Sequence, residues 1–332
     1  MTLLAGDIGG TKTELALFSP QAGPRKPLAR AEFPSGNYPS LEAIVRQFLD
    51  QTKSPAGQLD RACFAVAGPV IAGHAKITNL TWTVDLSNLQ RELNLEDVIL
   101  MNDLQAIALA VPILTKEELS SLNEGEPIQG GAIAVIAPGT GMGMAFLTWD
   151  GTRYQAHPSE GGHADFAPSS AVQTGLLQYL QQRFPHVSVE RVCSGRGLPN
   201  IYDYLRDTGY EPESPEVAAV LASAQDRAPI IVEHALDTTN PCALCAATLE
   251  LFIDIFGAAA GNLALNILST GGFYLAGGIP PRILPVLQNG RFMQAFVYKG
   301  RLSDLLAHMP VRVILSRAAL LGAANHGLEL AL

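Results

Sequence analysis

The sequence predicts an α/β protein built in two halves, and three observations carry that prediction. Apolar runs of strand length alternate with stretches of helical period, the pattern of a layered α/β fold. A strand, a glycine-rich turn carrying a threonine and a second strand occur at the start of the chain and again past residue 130. The chain has 332 residues, enough to bury a large core and more than one domain commonly uses.

The first half opens with Leu3-Leu4-Ala5-Gly6-Asp7-Ile8-Gly9-Gly10-Thr11-Lys12-Thr13 and a second apolar run, Leu15 to Phe18. Glycines free the backbone to bring N–H groups close to an anion. Asp7 beside them suits a Mg²⁺ ion carried by a nucleotide rather than phosphate itself. A Walker A loop needs Gly directly before its Lys, where this chain has Thr11, and must open a helix. Ser19-Pro20 stops the following segment too early for that helix. A dinucleotide fingerprint fails on glycine spacing and on the same missing helix. What remains is a hairpin whose tip could hold phosphate, and a hairpin with no ligand fits the turn chemistry too.

Pro27 to Phe33 adds a third strand, followed by a turn at Pro34, Gly36, Asn37 and Pro39. Leu41, Ile44, Val45, Phe48 and Leu49 recur at helical spacing, with Ser40 as N-cap. Arg61 to Ala67 reads as a buried strand ending at Gly68-Pro69, and Ala75 to Val84 as two short strands around Asn79. Ser87-Asn88-Leu89-Gln90 has the capping-box spacing that starts a helix. Val98 to Met101 is an apolar strand running into Asn102-Asp103 and a helix from Leu104 to Ala110. Two polar side chains at a strand's carboxyl end stand where open α/β sheets bind ligands. Capping the helix is the other ordinary task of an Asp there.

Pro112 and the polar stretch Ser120 to Gly130 read as the boundary between the halves. The strand Ala132 to Ile136, the turn Pro138-Gly139-Thr140-Gly141-Met142-Gly143 and the strand Met144 to Trp149 repeat the opening arrangement. Two such turns could hold a triphosphate from both sides. In Ser159-Glu160-Gly161-Gly162-His163-Ala164-Asp165 the paired glycines bring Glu160 and His163 to one small site. A lone histidine most often makes a structural hydrogen bond. A helix from Ala171 to Phe184 precedes Glu190, Arg191 and Ser194; by itself Glu190 is an ordinary surface acid.

Cys242 and Cys245 are spaced C-x-x-C behind Asn240-Pro241, which read as N-cap and first helical residue. No second pair of Cys or His lies in easy reach, so two packed thiols are expected rather than a zinc or redox site. Ala246 to Leu268 is a helix rich in small residues at Gly257 to Gly261. Phe273 to Ala276 is a strand ending in a third glycine turn, Gly277-Gly278-Ile279-Pro280-Pro281, suited to a nucleobase or ribose or to a plain strand-to-helix turn. A strand from Val311 to Leu315 and a helix from Arg317 to Leu330 end the chain, the helix returning to the first domain.

The formal net charge of −9 argues against a nucleic-acid partner. Asp254, Asn262 and Asn266 interrupt the most apolar stretch, which argues against a membrane span. No signal peptide is read at the N-terminus, and four scattered cysteines form no disulfide framework. The expected location is cytoplasmic.

Taken together, Gly6 to Thr11, Asn102-Asp103, Gly139 to Gly143, Glu160 to His163, Val189-Glu190-Arg191 with Ser194-Gly195, and Ala276 to Pro280 resemble bacterial glucokinases. These are the type without the ROK zinc motif, in the hexokinase–actin–Hsp70 superfamily, and the resemblance covers nearly the whole chain. It implies a two-lobed actin-like (ribonuclease H-like) ATPase fold with an interlobe cleft. A small α/β domain would comprise 1–113 plus 314–332, and a large one 114–313.

The resemblance further implies that Asp103 is the general base for the sugar 6-hydroxyl. Asn102, Glu160, His163 and Glu190 would hold the other hydroxyls. Gly9, Gly10, Thr11 and Lys12 with Gly139, Thr140 and Gly141 would cradle the phosphates of ATP. Asp7 would hold Mg²⁺ through water, and Gly277 and Gly278 would lie by the adenosine. Many glucokinases carry Asn at the place of Lys12, which is read either as a phosphate contact or as a solvent-facing side chain. The implied partners are glucose, MgATP and a second copy of the chain. A kinase for another hexose and a non-catalytic actin-like nucleotide- or sugar-binding protein are the competing readings. An actin-like or chaperone-like switch would have no use for a cage of Glu160, His163 and Glu190.

Overall fold

A computed structural model describes residues 2–53, 59–77 and 80–329. Two compact units emerge: Met1–Thr115 with Thr152–Pro158 and Ser316–Leu332, and Lys116–Gly151 with Ser159–Leu315.

In the first unit a five-stranded sheet runs in the order Ala29–Pro34, Lys12–Phe18, Leu3–Ile8, Arg61–Val66, Val98–Asn102. The first three strands are antiparallel, and the last two join in parallel. The inner strands are buried along nearly their whole length, as strands covered on both faces must be, whereas Ala29–Pro34 alternates between solvent and core. Side chains alternate across a strand. Leu4, Ile8 and Phe64 therefore meet Ile44, Val45 and Phe48 of the helix Leu41–Thr52 on one face. Leu3 and Cys63 meet Gly327 of the helix Ala319–Glu329 on the other. That final helix also packs on Asp103–Ala110, so the chain's end does return to the first domain. Leu330, expected to close it, lies outside the described residues.

Ser40 caps Leu41–Thr52 as expected, its side chain accepting from the Ala43 N–H. The helix Leu86–Leu93 starts differently from the expectation. Its N-cap is Asp85, whose Oδ1 accepts from the Asn88 N–H at 2.8 Å, and Ser87 lies inside the first turn. A carboxylate placed before the hydroxyl reaches the unpaired N–H groups first. The two expected short strands are His74–Lys76 and Thr83–Asp85, joined by a third, Val70–Ile71. Asn79, placed between them by the sequence reading, lies outside the described residues.

The strands of the second unit run in the order Met142–Trp149, Ile133–Pro138, Gly272–Leu275, Val311–Ile314, Leu119–Asn123. The last corrects the sequence reading, in which Ser120 to Gly130 was only a polar boundary. Leu119–Asn123 pairs antiparallel with Val311–Ile314, and Asn123 Nδ2 donates to the Ala307 and Met309 carbonyls. An edge strand lives on ladder hydrogen bonds, so its side chains need not alternate.

The core of this unit is the 25-residue helix Ala243–Ile267. Its Phe256 ring lies 5.1 Å from that of Phe292 on Arg291–Val297. This helix is long and apolar enough to cross a membrane, and 67% of its most apolar window is buried within the protein. Its N-cap is Cys242 rather than Asn240, with Sγ accepting from the Cys245 N–H. Both thiols are free and buried. The helix Ala171–Gln181 ends before Phe184 because Pro185 disfavours helical backbone at the residue preceding it.

Candidate active site

The first unit contributes a braced turn and two neighbouring carboxylates. At the hairpin tip the Gly9 N–H donates to the Lys12 carbonyl at 2.9 Å, and the Ser35 N–H to the Thr11 carbonyl at 3.0 Å. Ser35 Oγ donates to the Gly9 carbonyl at 2.8 Å and lies 3.0 Å from Thr13 Oγ1, both hydroxyls being buried. Three carbonyls are thus taken up within and behind the turn. The Lys12 ammonium is 2.6 Å from Glu32 Oε1, and Arg317 holds the other oxygen of that carboxylate. The lysine side chain is therefore committed to an exposed ion pair.

Asp7 is the penultimate residue of the strand Leu3–Ile8. Burial pushes its carboxyl up to about 7; the negative charges of Asp103 and Glu14 add to the rise, and Arg317 opposes it. Asp103 follows the strand Val98–Asn102 as the first residue of the helix Asp103–Ala110. The capping role falls to Asn102. Its Oδ1 accepts from the Leu104 N–H at 2.9 Å, and Gln105 Oε1 accepts from the Asn102 N–H at 3.1 Å, a complete capping box. Asn102 Nδ2 also donates to the Gly68 carbonyl at 3.0 Å, leaving one amide N–H for a ligand. Asp103 Oδ1 accepts from the adjacent Leu104 N–H.

The second unit brings the remaining motifs together. Gly161–His163 is a 3-10 turn that sets His163 Nε2 3.9 Å from Glu160 Oε2, both side chains more than half exposed. A Cβ on Gly162 would collide with the Met142 carbonyl, so only glycine lets this turn lie against the strand Met142–Trp149. Glu190 Oε2 accepts from the Met142 N–H at 2.9 Å. The second glycine turn is closed by Gly139 N–H to the Gly141 carbonyl at 2.8 Å and tied down by Gly195 N–H to the Gly139 carbonyl at 2.7 Å. The third turn stands beside it because the strands Ile133–Pro138 and Gly272–Leu275 are parallel neighbours. Gly277 has φ +85°, and a Cβ there would sit 2.7 Å from the Pro138 carbonyl.

These two turns border a cavity of about 490 Å³ lined by Gly139, Thr140, Gly195, Gly278 and Ile279. Its opposite wall is the helix Ala228–Leu236, through Pro229, Val232, Glu233 and Leu236. Sequence reasoning missed this wall. The spacing of 229, 232, 233 and 236 is one helical face, but a face that lines a cavity and a face that fills a core share one period. Arg227 secures the start of that helix with a two-pronged bond to Asp203, at 2.8 and 3.2 Å. Among the described residues no group of three or more His, Cys, Asp or Glu is arranged to hold a metal ion.

Comparisons with known proteins show the family. A family model described as Glucokinase matches residues 4–329. The chain is 43% identical to Glucokinase from a Nostoc strain, over 97% of both chains. It is 36% identical to Glucokinase from Escherichia coli, over 97% of this chain and 96% of the other. A crystal structure of glucokinase from an Antarctic psychrotroph is 33% identical and superposes with a TM-score of 0.82 over 99% of each chain. On its residues and on its actin-like ATPase fold in two units, the chain belongs to the glucokinase family.

Proposed function

We propose that Asp103 is the general base of the reaction of this family, the ATP-dependent phosphorylation of glucose at its 6-hydroxyl. The observation that carries this role is the capping box on Asn102 and Gln105. It assigns the N-cap to Asn102 and Gln105, so the Asp103 carboxylate, at a strand's carboxyl end beside Asp7, is not what starts the helix. Asp103 takes the proton of the 6-hydroxyl as the sugar oxygen attacks the γ-phosphorus, and ADP leaves. Phosphoryl transfer asks for positioning and charge stabilisation more than covalent chemistry.

The turns Gly9 to Lys12 and Gly139 to Gly141 cradle the phosphates, the Gly9 and Gly139 N–H groups being spent on closing the turns themselves. Gly277, Gly278 and the cavity behind them take the adenosine. Asn102, Glu160, His163 and Glu190 hold the sugar's other hydroxyls. Asp7 fits a divalent cation: its carboxyl sits at about 7 among the like charges of Asp103 and Glu14, and Arg317 offsets them only in part. Mg²⁺ arriving with ATP would neutralise phosphate charge there, held by Asp7 through water. A cytoplasmic homodimer working on glucose and MgATP completes the reading.

A coupled assay with MgATP and glucose, run beside fructose and mannose, tests it. The expected result is highest kcat/KM with glucose, and a glucose KM raised about tenfold or more by Glu160→Gln, since an unpaired polar contact costs about 1–3 kcal/mol. Turnover absent with all three sugars would overturn the activity. An unchanged KM in the variant would take Glu160 out of the sugar site.

A further inference from the structure

Glu190 faces two ways. Its Oε2 accepts from the N–H of Met142, the residue immediately after the Gly139–Gly141 turn, while Oε1 has no protein partner among the described residues. A Cβ on Gly141 would run into Oε2. The backbone that carries Glu190 holds the same turn. Ser194 Oγ donates to the Glu190 carbonyl at 2.7 Å, the Gly195 N–H to the Gly139 carbonyl at 2.7 Å, and the Arg196 N–H to the Thr140 carbonyl at 3.4 Å. The segment 190–196 therefore grips residues 139, 140 and 142, and the Glu190 carboxylate is the one part of that grip with an oxygen left over.

We infer that Glu190 is a positioning residue for the nucleotide's phosphate turn, and that a hexose hydroxyl on Oε1 tightens MgATP binding through Oε2. The inference rests on the sugar role proposed above. A carboxylate bonded on one side only retains rotamer freedom, and the Met142 N–H shares that freedom. A second hydrogen bond from the sugar removes it and presents the turn already ordered to the phosphates. Linkage requires the effect to be mutual: nucleotide must tighten sugar by the same factor. The need for glycine at 141 follows as well, since any side chain there would push the carboxylate off Met142.

The test is a set of equilibrium titrations of glucose and of a non-hydrolysable ATP analogue with Mg²⁺, each with and without the other. The proteins are wild type, Glu190→Gln, Glu190→Ala and Gly141→Ala, each checked by thermal melt. Wild type should show mutual tightening of about fivefold or more, the usual range for coupled sites. Glu190→Gln keeps an oxygen for the Met142 N–H, so analogue affinity should hold within about twofold while glucose weakens. Glu190→Ala should weaken both ligands and lose the coupling. Gly141→Ala should fold, because its Cβ displaces only the end of a flexible side chain, and should weaken glucose although it lies on the nucleotide turn. Glucose affinity unchanged in Gly141→Ala, with Glu190→Ala weakening glucose, would overturn the coupling alone. Glucose affinity unchanged in all three variants would overturn the sugar role of Glu190, and the coupling with it.

Discussion

Asp103→Asn is expected to lower kcat by a factor on the order of 10³, within the range removed with a positioned general base. Glucose affinity should change little. The substitution keeps an oxygen for the Leu104 N–H, and the cap on Asn102 and Gln105 is untouched, so the helix Asp103–Ala110 should persist. What is lost is the capacity to take a proton. Steady-state turnover together with calorimetric titration of glucose checks this. A kcat within tenfold of wild type would remove Asp103 as the base. Asn102→Ala makes the contrasting control: losing the cap should cost about 1 kcal/mol of stability, visible in a thermal melt.

Asp7→Asn is expected to move activity and stability in opposite directions. The Asp7 carboxyl lies at about 7 in the folded chain against an ordinary 3.8, through burial first and then the charges of Asp103 and Glu14. At pH 8 it is ionised in both states, but in the fold it is stripped of water and faces two like charges. The cost is several kcal/mol, since each tenfold change in proton affinity corresponds to ~1.4 kcal/mol. Between 3.8 and about 7 the folded chain binds more protons than the unfolded one, so this group's contribution raises stability as pH falls through that window. In metal-free buffer at pH 8, Asp7→Asn should therefore raise Tm and flatten its dependence on pH from 8 to 6. With substrates present it should lower kcat/KM by about 100-fold or more and raise the Mg²⁺ concentration needed for half-maximal rate. A Tm at or below wild type at pH 8 would mean the carboxylate is already compensated in the free protein. Unchanged Mg²⁺ dependence would take Asp7 out of the metal's reach.

Much of the architecture was legible because its signals are local. The hairpin at Asp7 to Thr13, the matching turn at Gly139 to Gly143 and the glycines at 277 and 278 all sit where strands end, as their sequence implied. The strand Leu119–Asn123 was not legible, since an edge strand is held by backbone and two of its five residues are serines. The cavity wall at Ala228–Leu236 was equally silent: its apolar face would look the same had it been buried.

Strand, glycine turn and strand, the acids at their ends, and membership of the glucokinase family follow from the order of residues alone, because turn chemistry and apolar period act over a few positions. Which partner each polar side chain takes was decided only by the tertiary structure. Asn102 rather than Asp103 caps the helix, Lys12 reaches Glu32 rather than standing free, and Glu190 lies against Met142. Two of those hydrogen bonds join residues far apart in the chain, and the third is a contest between neighbours settled by backbone direction. No pattern of residue types encodes either before the sheets and turns are in place.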